Sequence, residues 1–332
     1  MRVLVIGAGR MGALRAADLA TDERVEEIVI ANRSRDRADV LAREVGGTAV
    51  PLEAIPDVEA EAIVLTTAST SHADLLLELL TRGTPILCEK PIALTLDDTD
   101  RVIAAAHAHG TLVQVGFQRR FDPGFARARA AIASGALGTT YAIHAMSHDH
   151  LPSSVEFMSG AGDIFTDLLV HDLDLVHWLT GSPIATVYAT LAVRVHTQYG
   201  TRTDGVVDGD VALVHAVLAD GTQVAITGTR HDPVGHDVRM EIFGSADSLA
   251  MGLTSRTPLH PQDGALALDV DPFRGFVDRF RPAFHAETRA FLDTATGLIP
   301  NPCTMADARA ALHAAVCCGE SVARQAPVRV LD

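Results

Sequence analysis

The stretch that most restricts what this chain can fold into stands at its start. An apolar run over 2–6 leads directly into Gly7-Ala8-Gly9-Arg10-Met11-Gly12, and apolar residues at helical spacing follow through Ala13, Leu14, Ala17 and Leu19. Strand, GxGxxG, helix is the order of a dinucleotide-binding βαβ unit. Its first glycine permits the tight turn, its second lets backbone approach a pyrophosphate, and its third lets helix pack on strand with phosphate charge at the helix N-terminus. The bland alternative is a glycine turn with a structural purpose only.

Alternation of strand and helix continues, with strands at 27–31, 62–66, 85–87 and 111–115 and helices at 36–45, 71–81 and 95–109. This predicts a parallel, doubly wound α/β Rossmann domain over 1–119. At the end of the second strand, where an acidic residue would take the ribose 2′-hydroxyl, stand Asn32-Arg33-Ser34-Arg35. Asn32 removes the carboxylate that would repel a 2′-phosphate and Arg33 offers a planar fork to bind one, so NADP is favoured over NAD. The arginines at 33, 35 and 37 read alternatively as the solvated start of a helix.

Apolar alternation at 141–146, 185–195, 211–218, 223–229, 239–243 and 248–251, with Ala219-Asp220-Gly221 as a hairpin turn, predicts an α+β domain over 120–332 with a large, mostly antiparallel open sheet. A loop over 252–275, helices at 278–294 and 305–325 and a short strand at 328–331 complete the reading. The last helix is a candidate to pack back on the first domain. One open sheet face suits burial against another copy, so a homodimer or homotetramer is expected.

Charge and cysteine usage narrow the partners. A net charge of −15 leaves little for a basic face, so no nucleic acid is expected and small ligands are. Four cysteines without metal or disulfide spacing, no apolar run of membrane length and no export leader point to the cytoplasm. Among the 27 basic residues Lys90 is the one lysine, in Leu87-Cys88-Glu89-Lys90-Pro91. Arginine stays charged and planar, whereas lysine is a compact donor that can lose its proton when desolvated. Chance survival of one lysine in an arginine-rich sequence is the plain alternative.

Together the N-terminal glycines, the Thr66-Thr67-Ala68-Ser69-Thr70-Ser71-His72 turn, Glu89-Lys90-Pro91 and Gly116-Phe117-Gln118-Arg119-Arg120-Phe121-Asp122-Pro123 resemble the glucose-fructose oxidoreductase, inositol dehydrogenase and rhizopine-catabolism (Gfo/Idh/MocA) family. The run from Gly160 to Asp174 is similar to that family's helix with catalytic aspartate and histidine, and 235–244 to a strand where inositol dehydrogenases carry tyrosine. The resemblance implies an NAD(P)-dependent oxidoreductase acting on CH–OH groups of a cyclitol, sugar or amino sugar, with Lys90, Asp167 and His171 catalytic. It implies cofactor contacts from Gly7, Gly9, Arg10, Met11, Gly12, Asn32, Arg33, Thr66, Thr67, Ser69, His72, Glu89, Lys90 and Gln118. Substrate contacts are expected from Lys90, Arg120, His148, Asp149, His150, Asp167, His171, His236 and His285. Here histidines at 148, 150 and 236 depart from the family's usual residues, which points away from myo-inositol itself and leaves room for an amino-substituted ligand facing Asp149.

From spacing alone, Asp167, His171, Asp174 and Trp178 share one helical stripe. A solvated face would look the same, and a metal site from Asp167, His171 and Asp174 is a further reading that lacks a fourth ligand, so no metal is expected. If the helix is buried, Asp167 needs a partner, for which His171 is the expectation. For an alcohol dehydrogenase His171 would take the hydroxyl proton, Asp167 would orient it, and Lys90 would hydrogen-bond the reacting oxygen or itself accept the proton. A non-catalytic dinucleotide- and sugar-binding sensor and a redox-assisted glycosidase of the same fold are the alternatives.

Overall fold

The computed structural model describes residues 1–332 except 155–157, 159, 161, 201–204, 206, 260–270 and 332, so Ala161 of the helix-entry motif and the middle of the 252–275 loop lie outside the described residues. The chain divides into two compact units, 1–118 with 282–309, and 119–281 with 310–332.

The first unit holds β1 (Arg2–Ile6), α1 (Arg10–Leu19), β2 (Glu27–Ala31), α2 (Arg35–Val45), β3 (Thr48–Val50), β4 (Ala62–Leu65), α3 (His72–Leu79), β5 (Ile86–Glu89), α4 (Leu96–His109) and β6 (Val113–Gly116). The strands form a six-stranded sheet in the order β3-β2-β1-β4-β5-β6, and every pairing is parallel. This is the doubly wound order the alternation predicts, and its strand sequence reverses direction between β1 and β4. Parallel strands are buried on both faces, which is why Val3, Val5, Ile30, Val64 and Leu87 are fully buried and the strands read as continuous apolar runs. Helix starts follow local chemistry: Ser34 and Thr95 accept from the amides of Arg37 and Asp98.

The second unit contains α5 (Pro123–Ala133), β7 (Thr140–His148), a π-helical turn (Phe165–Leu169) running into α6 (Val170–Thr180), then β8 (Ile184–Ala192), β9 (Val211–Leu218), β10 (Gln223–Thr229), β11 (Asp237–Gly244) and β12 (Ser248–Met251). The helices α7 (Phe276–Ala295) and α8 (Met305–Arg324) each cross from one unit's residues to the other's, and β13 (Val328–Arg329) closes the chain. Phe280 breaks helical geometry within α7, two residues before Pro282, so that the helix is two pieces rather than the continuous one expected. The sheet has seven strands in the order β12-β11-β7-β10-β9-β8-β13. It is mixed: β7 and β10 pair in parallel and the remaining pairs are antiparallel. Ala212, Val214 and Ala216 of β9 are buried, whereas Leu213 and His215 between them are exposed, the period-two sign of a sheet with one covered face. On the covered face Gly228 of β10 leaves the room that Leu169 fills, since a Cβ there would stand 2.7 Å from Leu169 Cδ2. No helix of the described residues is long and apolar enough to cross a membrane.

Candidate active site

In the first unit the loop after β1 is set by close packing. Gly7 has a φ of +112°, and a Cβ on Gly12 would meet the Gly7 carbonyl oxygen at 1.9 Å. Thr66 Oγ1, from the loop after β4, donates to the carbonyls of Ile6 and Gly7 at 3.1 Å. Gly9 is different: nothing lies within 4 Å of the position its Cβ would take. Protein packing explains the first and third glycines, but the second keeps its side open, which is what close approach of a pyrophosphate at the start of α1 requires. The open side of Gly9 therefore fits the approach of a dinucleotide.

Asn32 is tied into this loop, its Oδ1 accepting the Ala8 amide and its Nδ2 donating to the Ser34 carbonyl, both at 3.0 Å. The arginine cluster is smaller than the sequence suggests, because Arg35 is held by Asp39 one helical turn away at 3.0 Å. Arg33, Arg37 and Arg10 are exposed, and Met11, Thr67, Ser69 and Lys90 are partly exposed. Lys90 directly follows β5, at the strand end where such sheets take ligands.

Two expected cofactor contacts, His72 and Glu89, have structural duties, and a third, Gln118, is buried. His72 is buried, with Nδ1 2.7 Å from the Pro91 carbonyl and Nε2 3.0 Å from that of Thr67, so it clamps the β4 loop to the residue after Lys90. Glu89 binds Arg15, whose Nη2 stands 2.7 Å away. Gln118 is buried at the end of the unit. Likewise His285, expected at the substrate, sits on α7 with its Nδ1 3.1 Å from Asp18 on α1.

In the second unit the π-turn carries Asp167 and α6 begins just before His171. Its start is fixed by reciprocal bonds, Thr166 N–H to Asp163 Oδ1 at 2.8 Å and Asp163 N–H to Thr166 Oγ1 at 3.0 Å. A π-bulge is often found at functional positions. The helix is buried, so the solvated-stripe reading fails: Asp172, Asp174 and His171 are all under a tenth exposed. Each carboxylate meets an arginine that sequence reasoning did not assign to it. Arg119 Nη1 bonds Asp172 at 3.0 Å and Ser147 at 2.8 Å. Arg120, expected at the substrate, is instead buried and bidentate to Asp174, which also removes Asp174 from any metal reading. For Asp167 the structure adds Arg230, whose Nη1 lies at 3.3 Å while its Nη2 lies 3.3 Å from Asp208.

Burial alone would pull the Arg230 guanidinium down, but Asp167 and Asp208 outweigh it and hold it above its ordinary range. Burial pushes the Asp208 carboxyl up against the pull of Arg230 and two backbone amides.

His148, Asp149 and His150 each meet Asp232, Asp149 through its backbone, and His236 meets Asp149. The Asp232 amide donates to the Asp149 carbonyl at 2.6 Å, His150 Nδ1 is 3.1 Å from the Asp232 carbonyl, and His148 Nδ1 is 3.7 Å from Asp232 Oδ2. His236 is buried, with Nδ1 3.4 Å from Asp149 Oδ1, and neither ring nitrogen completes a hydrogen bond among the described residues. His148, Asp232 and Asp237 have ligand atoms within 4.8 Å of one another, yet both Asp237 oxygens already accept from Arg239 at 2.8 to 3.0 Å. Arg230, Asp208 and Asp232 are the site residues that sequence reasoning missed.

Residues 1–117 match the oxidoreductase family with NAD-binding Rossmann fold, and residues 125–250 match the GFO/IDH/MocA C-terminal domain. A myo-inositol dehydrogenase of Streptomyces leeuwenhoekii is 35% identical over 321 residues, covering 95% of each chain. The chain belongs to the GFO/IDH/MocA oxidoreductases. A scyllo-inositol 2-dehydrogenase (NAD(+)) of Bacillus subtilis is 29% identical, covering 88% of this chain and 85% of its own. The crystal structure of a myo-inositol dehydrogenase from Corynebacterium glutamicum superposes with a TM-score of 0.90 at 30% identity, covering 100% of this chain and 99% of that one. This member of the family is thus an NAD(P)-binding oxidoreductase of the inositol dehydrogenase type.

Proposed function

We propose that the protein transfers a hydride between a secondary alcohol of a cyclitol, sugar or amino sugar and a nicotinamide. The observation that carries the reading is the open side of Gly9 in a loop whose other glycines are closed by packing, joined to relatives named as inositol dehydrogenases. A bound nicotinamide supplies the acceptor for the carbinol hydride. His171 takes the hydroxyl proton, because an alcohol losing hydride needs a base that titrates near neutrality. Asp167 orients that imidazole, and Arg230 faces the Asp167 carboxylate at the π-turn. Lys90 donates a hydrogen bond to the reacting oxygen and stabilises developing alkoxide charge.

Lys90→Arg is expected to retain cofactor binding and lose turnover by about 100-fold or more, since a planar fork cannot replace a compact donor. Near wild-type kcat in that variant, measured by NAD(P)H absorbance, removes lysine from the mechanism. Gly9→Ala should fold normally, as nothing crowds the new methyl, and lose cofactor affinity; unchanged affinity in a fluorescence titration overturns the loop's role. Arg33 beside Asn32 supports NADP, while one relative's name specifies NAD(+). Paired titrations with NADPH and NADH decide between them, and tighter NADH removes Arg33 as a phosphate ligand. The open sheet face, with Leu213 52% and Tyr188 40% exposed, supports a homodimer or homotetramer, which light scattering on the purified chain tests.

A further inference from the structure

Arg230 is completely buried, yet its ionic contacts are loose. Asp167 and Asp208 stand 3.3 Å from Nη1 and Nη2, and Nε has no hydrogen-bond partner among the described residues. A tight charge-assisted bond is shorter, at about 2.7–2.9 Å. Two contacts at the observed length do not fix a guanidinium plane. A third neighbour does: the ring of Tyr199, whose centroid lies 5.5 Å from Arg230 Cζ. That is within the distance of about 6 Å over which a ring face attracts a cation.

Tyr199 belongs to the connection between β8 and β9 and is held in place by its own turn. Its amide donates to the His196 carbonyl at 3.1 Å, and the His196 ring stands edge-on to it at 6.3 Å. The amides of Arg194, Val195 and His196 all donate to the Asp210 carboxylate, at 2.6 to 2.7 Å. The Arg230 amide donates to the Asp210 carbonyl at 2.9 Å. One aspartate thus anchors both the turn that carries the ring and the strand end that carries the guanidinium.

The ring is buried, and burial pushes the phenol up, so it presents a neutral π face. Its hydroxyl donates to the Ser153 carbonyl at 3.3 Å, which leaves that face for Arg230. Asp208 is fixed as well, its Oδ1 accepting the amides of Ile164 at 2.9 Å and Gly209 at 2.8 Å. With ring and Asp208 both set, the orientation of the fork toward Asp167 is set with them. We propose that Tyr199 is a positioning residue whose ring face directs the Arg230 guanidinium onto Asp167, and that it acts through this carboxylate on the charge around His171. The proposal rests on the dehydrogenase reading and assigns Tyr199 no contact with substrate.

Tyr199→Phe, Tyr199→Leu, Arg230→Leu and the double variant Tyr199→Leu with Arg230→Leu test it in the intact protein. The substrate is whichever of myo-inositol, scyllo-inositol, glucose and glucosamine wild type oxidises fastest. Tyr199→Phe keeps the ring face and should keep kcat. Tyr199→Leu should lower kcat about tenfold, the rate equivalent of one buried cation–π contact, with KM unchanged. It should also move the acid limb of the kcat/KM profile to higher pH, because an Asp167 carboxylate released from Arg230 favours the charged imidazole. Arg230→Leu should move that limb the same way, and adding Tyr199→Leu to it should change neither kcat nor the limb further.

A ring that merely packs has effects independent of Arg230, so additive losses in the double variant overturn the proposal. Wild-type kcat in Tyr199→Leu overturns it too, as does a Tyr199→Phe no better than Tyr199→Leu, which would move the effect to the hydroxyl. Tyr199→Met fills the same space with a flexible chain and replaces Tyr199→Leu if that variant does not fold. If wild type oxidises none of the four compounds, the dehydrogenase reading fails, and the pH dependence of His171 modification by diethyl pyrocarbonate, read by peptide mass spectrometry, still scores the coupling. Its midpoint should rise in Tyr199→Leu and in Arg230→Leu, and no further in the double variant. A midpoint that Tyr199→Leu leaves unmoved overturns the positioning role.

Discussion

Among the described residues each unit contains one fully buried arginine set between two carboxylates, and the two are built differently. Arg15 in the first unit donates Nε to Glu89 at 2.9 Å, Nη1 to the Phe284 carbonyl and Thr288 Oγ1 at 3.1 Å, and Nη2 to Glu287. Its fork is saturated, and although burial works against the charge, Glu287 and Glu89 hold the guanidinium above its ordinary range. Arg230 in the second unit has its two carboxylates at 3.3 Å, and its Nε finds no partner among the described residues. Asp167, one of those partners, is 19% exposed, whereas Glu287 is fully buried. A saturated arginine fastens elements together. A loosely held one beside an accessible carboxylate keeps a charge in place while leaving that carboxylate room to act.

Removing each arginine should separate the two roles. Arg15→Leu leaves Glu287 buried with its guanidinium gone, and breaking such a pair costs about 3–5 kcal/mol. Urea unfolding should show that loss at neutral pH. Arg230→Leu should cost less, about 1–3 kcal/mol, the range for an unsatisfied buried group, because burial already pushes the Asp208 carboxyl up and lets it take a proton instead. Its larger effect should fall on turnover, through Asp167, with cofactor affinity retained. If Arg230→Leu proves as destabilising as Arg15→Leu and spares kcat, both arginines are structural clamps and the contrast is lost.

The same contrast explains what the sequence discloses. The glycine loop and the alternating strands lie in contiguous residues, and 211–218, 223–229 and 248–251 are legible to the residue because the sheet's two faces differ in polarity. The helix bearing Asp167 and His171 is legible as well. Its partners are not: Arg230 stands 63 residues from Asp167, and 26 arginines gave no reason to prefer one. Arg120 was misread for the same cause, since only the fold reveals that Asp174, 54 residues away, consumes its fork. His285 resembles a ligand-facing histidine until α1 is seen to supply Asp18. The one signal available for the missed residues was indirect: Gly228 in an apolar strand marks the close approach of Leu169 beside Asp167.

The smallest expected effect concerns how each unit responds to acid. Asp22 in the first unit is held at about 2, chiefly by the hydrogen bond from Arg24. Asp232 in the second is also below its ordinary value of 3.8, since His148 and backbone amides outweigh the upward push of burial. In both cases the folded carboxyl binds a proton less readily than the unfolded one, so its contribution to stability is complete above the unfolded value. It is lost as pH falls through the folded value. Asp22→Asn and Asp232→Asn should therefore flatten the acid limb of the stability curve below about pH 4, the unfolded carboxylate range. The partners differ in one respect that the variants expose. Arg24 reaches Asp22 through several side-chain nitrogens, whereas Asp232 relies on one histidine and backbone amides, so the flattening should be larger for Asp22→Asn. Urea unfolding midpoints between about pH 7 and about pH 3 check both, and an acid limb as steep in Asp22→Asn as in wild type would show that Arg24 does not hold the carboxylate.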